Sequence, residues 1–185
     1  MSDQALNTFH FPENTCIPQA QPKHGGSVTL ASPALDVMTD LAQVRAATIS
    51  PDTDLNKAEQ MMIQQGVRSL FVMSEFPCVD GLITASDLLG EKPMRLINQR
   101  NVQRQDLHVA DVMTRLAALD ALDYNELKAA SVAAVVATFR QVGHTHLLVV
   151  QAATLQGPAR IRGVISVTQV ERQLGQAVLQ MAAVD

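Results

Sequence analysis

Tryptophan is absent from the chain, tyrosine occurs once, and aromatic residues make up only 3% of 185 positions. A stacking platform for single-stranded nucleic acid needs several exposed rings, so that class is excluded. Basic residues do not dominate: 14 Lys and Arg stand against 18 Asp and Glu, a formal net charge of −4. Duplex nucleic acid is held by neutralising its phosphates, and no nucleic-acid partner is expected on this balance. Long apolar runs are also missing. The longest, at 132–136 and 147–150, fall far below the roughly 18–20 residues of a membrane span, and no membrane association is expected. The first twenty residues lack a basic start followed by an apolar stretch, so no export signal is expected. Two cysteines, Cys16 and Cys78, make no disulfide framework, and reduced thiols in a cytoplasm follow. Nothing near Cys78 in sequence would lower its pKa and make it reactive.

What is present is apolar material. Hydrophobic residues reach 47% against 17% charged, which rules out general disorder and supports a core. The length suits one domain or two small ones. Residues 1–33 stand apart. They hold Pro12, Pro18, Pro22 and Pro33, the pair Gly25-Gly26, and no sustained periodicity. They read as an extended N-terminal arm, either a loose tail or a segment docked on a partner subunit through Phe9, Phe11 and Ile17.

From residue 34 the chain echoes itself. The run Ala34-Leu35-Asp36-Val37-Met38-Thr39-Asp40-Leu41 returns as Val109-Ala110-Asp111-Val112-Met113-Thr114-Arg115-Leu116. The stretch from Gly66 to Val72 returns from Gly143 to Val149, and Gly81-Leu82-Ile83-Thr84 returns as Gly163-Val164-Ile165-Ser166. Three anchors in one order indicate two copies of one supersecondary unit. In the first copy, 45–49 reads as a strand and 50–54 as a turn with acidic residues suited to a helix start. Leu55, Ala58, Met61 and Met62 then mark a helical face ended by Gly66. Strands follow at 68–73 and 81–83, and a helix begins near Thr84. The second copy matches: a strand at 118–122, a helix with Val132, Val135, Val136 and Phe139 on one face, Gly143 as its stop, strands at 146–150 and 161–165, and a helix over 166–174. Residues 123–130 read as an insertion of one or two helical turns that should stand outside the shared core. The class is α/β, or α+β: two β-α-β-β-α units.

The DVMT opening, the glycine-ended helix and the Gly-apolar-apolar-Thr/Ser ending, twice in order, resemble a tandem pair of CBS domains, a Bateman module. The resemblance covers 34–175. It divides the chain into the arm at 1–33, a first CBS domain with linker at 34–105, and a second with a C-terminal helix at 106–185. It implies two CBS units packed sheet to sheet in pseudo-twofold symmetry. It further implies clefts that hold adenosine-containing ligands such as AMP, ADP, ATP or S-adenosylmethionine, no catalysis, no required cofactor, and a free-standing protein that forms disk-like homodimers and regulates another, unidentified protein. Met94, Leu96 and Ile97, with Leu174, Val178 and Leu179, would supply the apolar faces of such a dimer.

Thr84-Ala85-Ser86-Asp87 is the main candidate site. Asp87 can accept from both hydroxyls of a ribose, and Thr84 suits a phosphate oxygen. The same spacing is a capping box that needs no ligand, and both roles stay open. The family pattern implies that Thr84 and Asp87 face Leu122 and His144-Thr145-His146. It implies a second, weaker cleft where Ser166 and Gln169 face Thr48, Ile49, Val67 and Arg68. Gln169 stands where the family has an acid, and it cannot offer two equivalent charged acceptors. His144 and His146 alternate along a strand and share a side. They read as structural histidines, as nucleotide contacts, or as metal ligands; no third ligand is fixed by spacing, so no metal is assigned. Lys92, Arg95, Arg100 and Arg104 read as the solvated face of a helix or linker. No P-loop, nucleophile elbow or zinc-hydrolase motif occurs, and Asp120 and Asp123 lack a partner base in view, so no catalytic residues are assigned. Two functions compete: a nucleotide-sensing regulatory module, and a structural or interaction dimer whose clefts are vestigial.

Overall fold

The structure, a computed structural model, describes residues 26–153 and 157–178. The arm as far as residue 25, with Phe9, Phe11, Cys16 and Ile17, lies outside the described residues, as does Leu179. A 3-10 turn at Ala34–Val37 leads to strand β1 (Thr39–Asp40), β2 (Thr48–Ile49), helix α1 (Leu55–Gln65), β3 (Ser69–Val72), β4 (Gly81–Thr84), α2 (Ala85–Leu89) and α3 (Glu91–Arg100). Then come α4 (Val109–Val112), β5 (Thr114–Arg115), β6 (Ala121–Asp123), α5 (Tyr124–Ala129), α6 (Val132–Val142), β7 (His146–Gln151), β8 (Arg160–Ser166) and α7 (Val167–Leu174).

Local chemistry sets these limits. Asp54 caps α1 by accepting from the Lys57 N–H at 2.9 Å. Gly66 and Gly143 end α1 and α6 in the left-handed region, φ 65° and 70°, where a side chain would be strained. Leu55, Ala58 and Met62 are buried along α1, and Val132, Val135, Val136 and Phe139 along α6. The helical stripe expected from spacing therefore faces the core in both halves.

The strands form two four-stranded sheets, β2-β3-β4-β5 and β6-β7-β8-β1. In each, the first pair is parallel and the other two are antiparallel. The sheets correspond strand for strand, the arrangement of a pseudo-twofold pair. The described parts of the two chain halves, 34–105 and 106–178, are nevertheless interleaved in space. Strand β1 completes the second sheet, with Thr39 opposite Val164 and Asp40 opposite Gly163. Strand β5 completes the first, with Arg115 opposite Gly81 and Thr114 opposite Leu82. The cores follow the strands. Ala34, Val37 and Met38 are buried among Val132, Phe139, Leu147 and Ile165. Leu107, Val109 and Val112 are buried among Leu55, Leu70 and Ile83. A third apolar cluster around Phe71, Leu82 and Leu148 draws on both sheets.

Glycines mark both crossings. A Cβ on Gly163 would lie 2.7 Å from the Thr39 carbonyl oxygen and 2.7 Å from Met38 Sδ. A Cβ on Gly81 would collide with the Thr114 carbonyl oxygen. The glycine in each Gly-apolar-apolar-Thr/Ser run lets the crossing strand approach.

The second crossing is clasped by charge. Arg162 donates from Nε and Nη2 to the two oxygens of buried Asp40, both at 2.8 Å. The guanidinium also lies 4.8 Å from the centre of the Tyr124 ring. Those hydrogen bonds hold the Asp40 carboxyl down at about 2, below its ordinary 3.8, against the opposing effect of burial.

Two expectations need correction. Residues 123–130 do not stand outside the core: Leu127 is 3% exposed among the second core residues. The Ala130 carbonyl also accepts from the Ala34 N–H at 3.0 Å. The inserted turns fill space against the incoming 34–37 turn, a role with no equivalent in the first half. The described end of the arm is not loose, and it docks on its own chain. The N–H groups of Val132 and Ala133, at the start of α6, donate to the Ser32 and Leu30 carbonyls, both at 2.9 Å. Main-chain carbonyls thus satisfy a helix start at which Ser131 makes no side-chain cap.

Gly163→Ala is expected to cost about 1–3 kcal/mol of stability through overpacking at the crossing. Gly157 faces open space, and Gly157→Ala should stay within about 0.5 kcal/mol of wild type. Urea melts of both variants check this. The depressed Asp40 pKa predicts a pH effect. Its contribution, about 2 kcal/mol, is present above pH 3.8 and is lost as pH falls toward 2. Asp40→Asn should flatten that part of the acid unfolding profile.

Candidate functional site

A cleft of about 200 Å³ opens along the first crossing. Leu82 and Thr84 line it from β4, Ser86 and Asp87 from α2, and Thr114 from β5. Leu119 and the run His144-Thr145-His146 close it from the second half. Thr84 and Asp87 are thus brought against residues 144–146, as expected from the family pattern. Leu122 is not part of this lining. It pairs with Val149 in the sheet and packs on the second core, and Leu119 takes the place at the cleft. Thr114, also not assigned from sequence, had a visible signal: it is the threonine of the repeated Val-Met-Thr run, which starts the crossing strand.

The capping reading of Thr84 and Asp87 is realised. Thr84 Oγ1 accepts from the Asp87 N–H at 3.2 Å, and Asp87 Oδ2 accepts from the Thr84 N–H at 2.9 Å and the Thr84 hydroxyl at 2.7 Å. One carboxylate oxygen is therefore committed to the start of α2. The other, Oδ1, lies 3.9 Å from Lys92 Nζ. That ammonium donates to the Met113 carbonyl at 3.2 Å and to the Val112 carbonyl, and so ties α3 to the segment entering β5. Asp87 can offer a ligand hydroxyl Oδ1 without disturbing the cap. A diol taking both oxygens would have to break the Thr84 bonds.

The two histidines of the lining are held differently. His144 Nδ1 is 2.7 Å from Asp120 Oδ2, both side chains about half exposed. Asp120, without a base in the sequence reading, has one in space. Asp123 instead caps α5, accepting from the Asn125 and Glu126 N–H groups at 2.7 and 3.1 Å. His146 opens β7, with Nδ1 3.1 Å from Thr145 Oγ1. Burial lowers its pKa to about 4, with the Asp87 carboxylate opposing the shift. The His146 imidazole is therefore neutral at pH 7.

The second set of expected residues is not gathered into one cavity. Thr48 and Ile49 line a separate hollow of about 470 Å³ with Ser50, Thr53, Lys57, Met61, Met73 and Phe76. Val67, Arg68, Ser166 and Gln169 do not line it. Val67 donates its N–H to the Met62 carbonyl at the end of α1. Arg68 is exposed. Ser166 caps α7 by accepting from the Gln169 N–H at 3.2 Å. The Gln169 side chain turns to β1, where its Oε1 accepts from the Thr39 hydroxyl at 3.3 Å. Its Nε2 is buried without a hydrogen-bond partner among the described residues. Cys78 is an exposed free thiol. Among the described residues no group of three or more His, Cys, Asp or Glu side chains is placed to hold a metal ion.

The lowered pKa of His146 has a direct signature. In an NMR pH titration its ring signals should stay those of neutral imidazole down to about pH 4. A midpoint near the ordinary 6.5 would contradict the burial described for it.

Comparison with known proteins fits this geometry. The sequence model of the CBS domain matches residues 34–93. No curated protein matches the chain. Among solved structures, a CBS-domain containing protein from Agrobacterium tumefaciens is 17% identical, with a TM-score of 0.54 over 78% of this chain and 94% of that one. CBSX2 of Arabidopsis thaliana, in complex with AMP, is 19% identical, with a TM-score of 0.50 over 76% and 94%. The CBS domain pair of protein MJ0100, in complex with 5′-methylthioadenosine and S-adenosyl-L-methionine, is 15% identical, with a TM-score of 0.51 over 78% and 97%. Residues 34–93 match the CBS domain model, and the chain as a whole has the fold of a CBS pair.

Proposed function

We propose that the chain is a regulatory module that senses an adenosine-containing nucleotide (AMP, ADP or ATP) or S-adenosylmethionine in the Asp87 cleft, and catalyses no reaction itself. The observation that carries this reading is the convergence of Thr84 and Asp87 with residues 144–146 across the line where the halves cross. Asp87 Oδ1 is available to a ribose hydroxyl there, and the threonine hydroxyls add polar partners. The structures that share the fold support the ligand class, since CBSX2 is in complex with AMP and the MJ0100 pair with two adenosine compounds. A ligand seated between elements of both halves acts by its different affinity for their alternative packings.

The module works as a cytoplasmic homodimer that passes its state to a regulated protein. Among the described residues no helix is long and apolar enough to cross a membrane. Ile63, Leu89 and Met94, on α1, α2 and α3, are 73%, 67% and 61% exposed. Val178 is fully buried in its own chain. The apolar dimer face is therefore assigned to the helices of the first half. The second reading, a structural dimer with vestigial clefts, is favoured by Gln169, whose side chain is spent on Thr39.

Asp87→Asn separates the two. Loss of a charged hydrogen-bond partner costs about 1.5–3 kcal/mol, or roughly tenfold to a hundredfold in affinity. Calorimetric titration with whichever of AMP, ATP and S-adenosylmethionine binds wild type most tightly should show that loss for Asp87→Asn and little change for Gln169→Asn. A variant that melts lower yet binds equally well leaves Asp87 as a cap only and overturns the reading. Greater damage from Gln169→Asn would move the working site to the other crossing.

A further inference from the structure

The charge of the cleft narrows the ligand. Among the described residues its lining carries one carboxylate, Asp87, and no lysine or arginine. The basic side chains among the described lining residues are His144 and His146. His144 Nδ1 lies 2.7 Å from the Asp120 carboxylate, a further acidic group beside the cleft. His146 is held neutral at pH 7 by burial. Lys92 is not among the lining residues; its Nζ lies 3.9 Å from Asp87 Oδ1 and donates to the Val112 and Met113 carbonyls. Helix α2 adds no anion site. It is five residues long, and the Asp87 N–H within it is already donated to Thr84. What remains is a set of hydroxyls, a neutral imidazole and a carboxylate.

Phosphate groups bind where cations or free N–H groups replace their hydration. A triphosphate in this cleft would find no lysine or arginine in the described lining and would meet the Asp87 carboxylate. A compound with a neutral or positive 5′ substituent keeps the ribose contact to Asp87 and avoids that repulsion. Discrimination by a group left unpaired in the wrong complex is an effective source of specificity.

We infer that the cleft selects adenosine compounds of little or no negative charge, such as a thioether or sulfonium nucleoside, over nucleoside di- and triphosphates. The inference rests on the reading that the cleft takes an adenosine compound. The test is calorimetric titration of the full chain, without magnesium, at about 0.15 M salt, where exposed charges are screened beyond about 8 Å. The probes are 5′-methylthioadenosine, S-adenosylmethionine, AMP and ATP. The first two should bind about tenfold or more tightly than ATP, the order of one like-charge contact in a partly wet site. Ser86 is exposed and lines the cleft, so Ser86→Lys adds a cation without touching the core. It should raise the affinity for ATP relative to methylthioadenosine by about tenfold. ATP binding as tightly as methylthioadenosine to wild type overturns the charge selection and leaves the sensing reading intact. If no probe binds, the sensing reading fails and the selection falls with it.

Discussion

Two strands of two residues each hold this molecule together. Each lies in the sheet built mainly by the other half of the chain: β1 beside β8, and β5 beside β4. Neither half can complete its sheet or its core alone, because the buried Val37 and Met38 sit in one core and Val109 and Val112 in the other. The short strands reach their places only because Gly163 and Gly81 present no Cβ to the carbonyls of Thr39 and Thr114. Backbone pairing, core filling and the glycine positions are thus one constraint. It also sets the site. The residue that follows each crossing glycine by three positions, Thr84 or Ser166, ends its strand and caps the next helix.

Much of this was legible in the sequence. The helical stripes of α1 and α6, their glycine stops, the hairpins β3–β4 and β7–β8, and the cap at Thr84 all follow from local spacing, and local spacing is what a sequence displays. The crossing was not legible, because a two-residue strand carries no alternation that could assign it to a sheet. The Val-Met-Thr runs were visible as repeats, yet nothing in them says which sheet they join. The role of the inserted turns was hidden for a related reason. Leu127 and Tyr124 are called for by the incoming 34–37 turn and by Arg162, partners far away in sequence.

The site was half legible. Thr84, Asp87 and residues 144–146 are motif residues on strand and helix ends, where position follows from the element. Leu122 was misplaced because the segment entering the cleft is irregular. A 3-10 turn at Leu116–Ala118 sets β6 later than expected and leaves Leu119 at the cleft. Spacing along a regular strand could not show that. The second set failed for a different reason, since Gln169 found a partner in Thr39 across the crossing.

The two crossings are unequal, and the difference bears on how a ligand could act. At the second, buried Asp40 and Arg162 form a bidentate pair backed by Tyr124. At the first, the corresponding positions carry the reversed charges, Arg115 and Asp80, but Asp80 accepts from the Ser74 hydroxyl at 2.6 Å instead. Arg115 is left exposed. The first crossing keeps its backbone pairing, its glycine and the Lys92 tether to Val112 and Met113. Breaking a buried ion pair costs several kcal/mol, whereas exposed or absent pairs contribute little. The first crossing, where Asp87, His144 and His146 meet, thus lacks the bidentate ion pair that clasps the second. Under the proposed sensing role, a ligand in the Asp87 cleft would act at the crossing without that clasp.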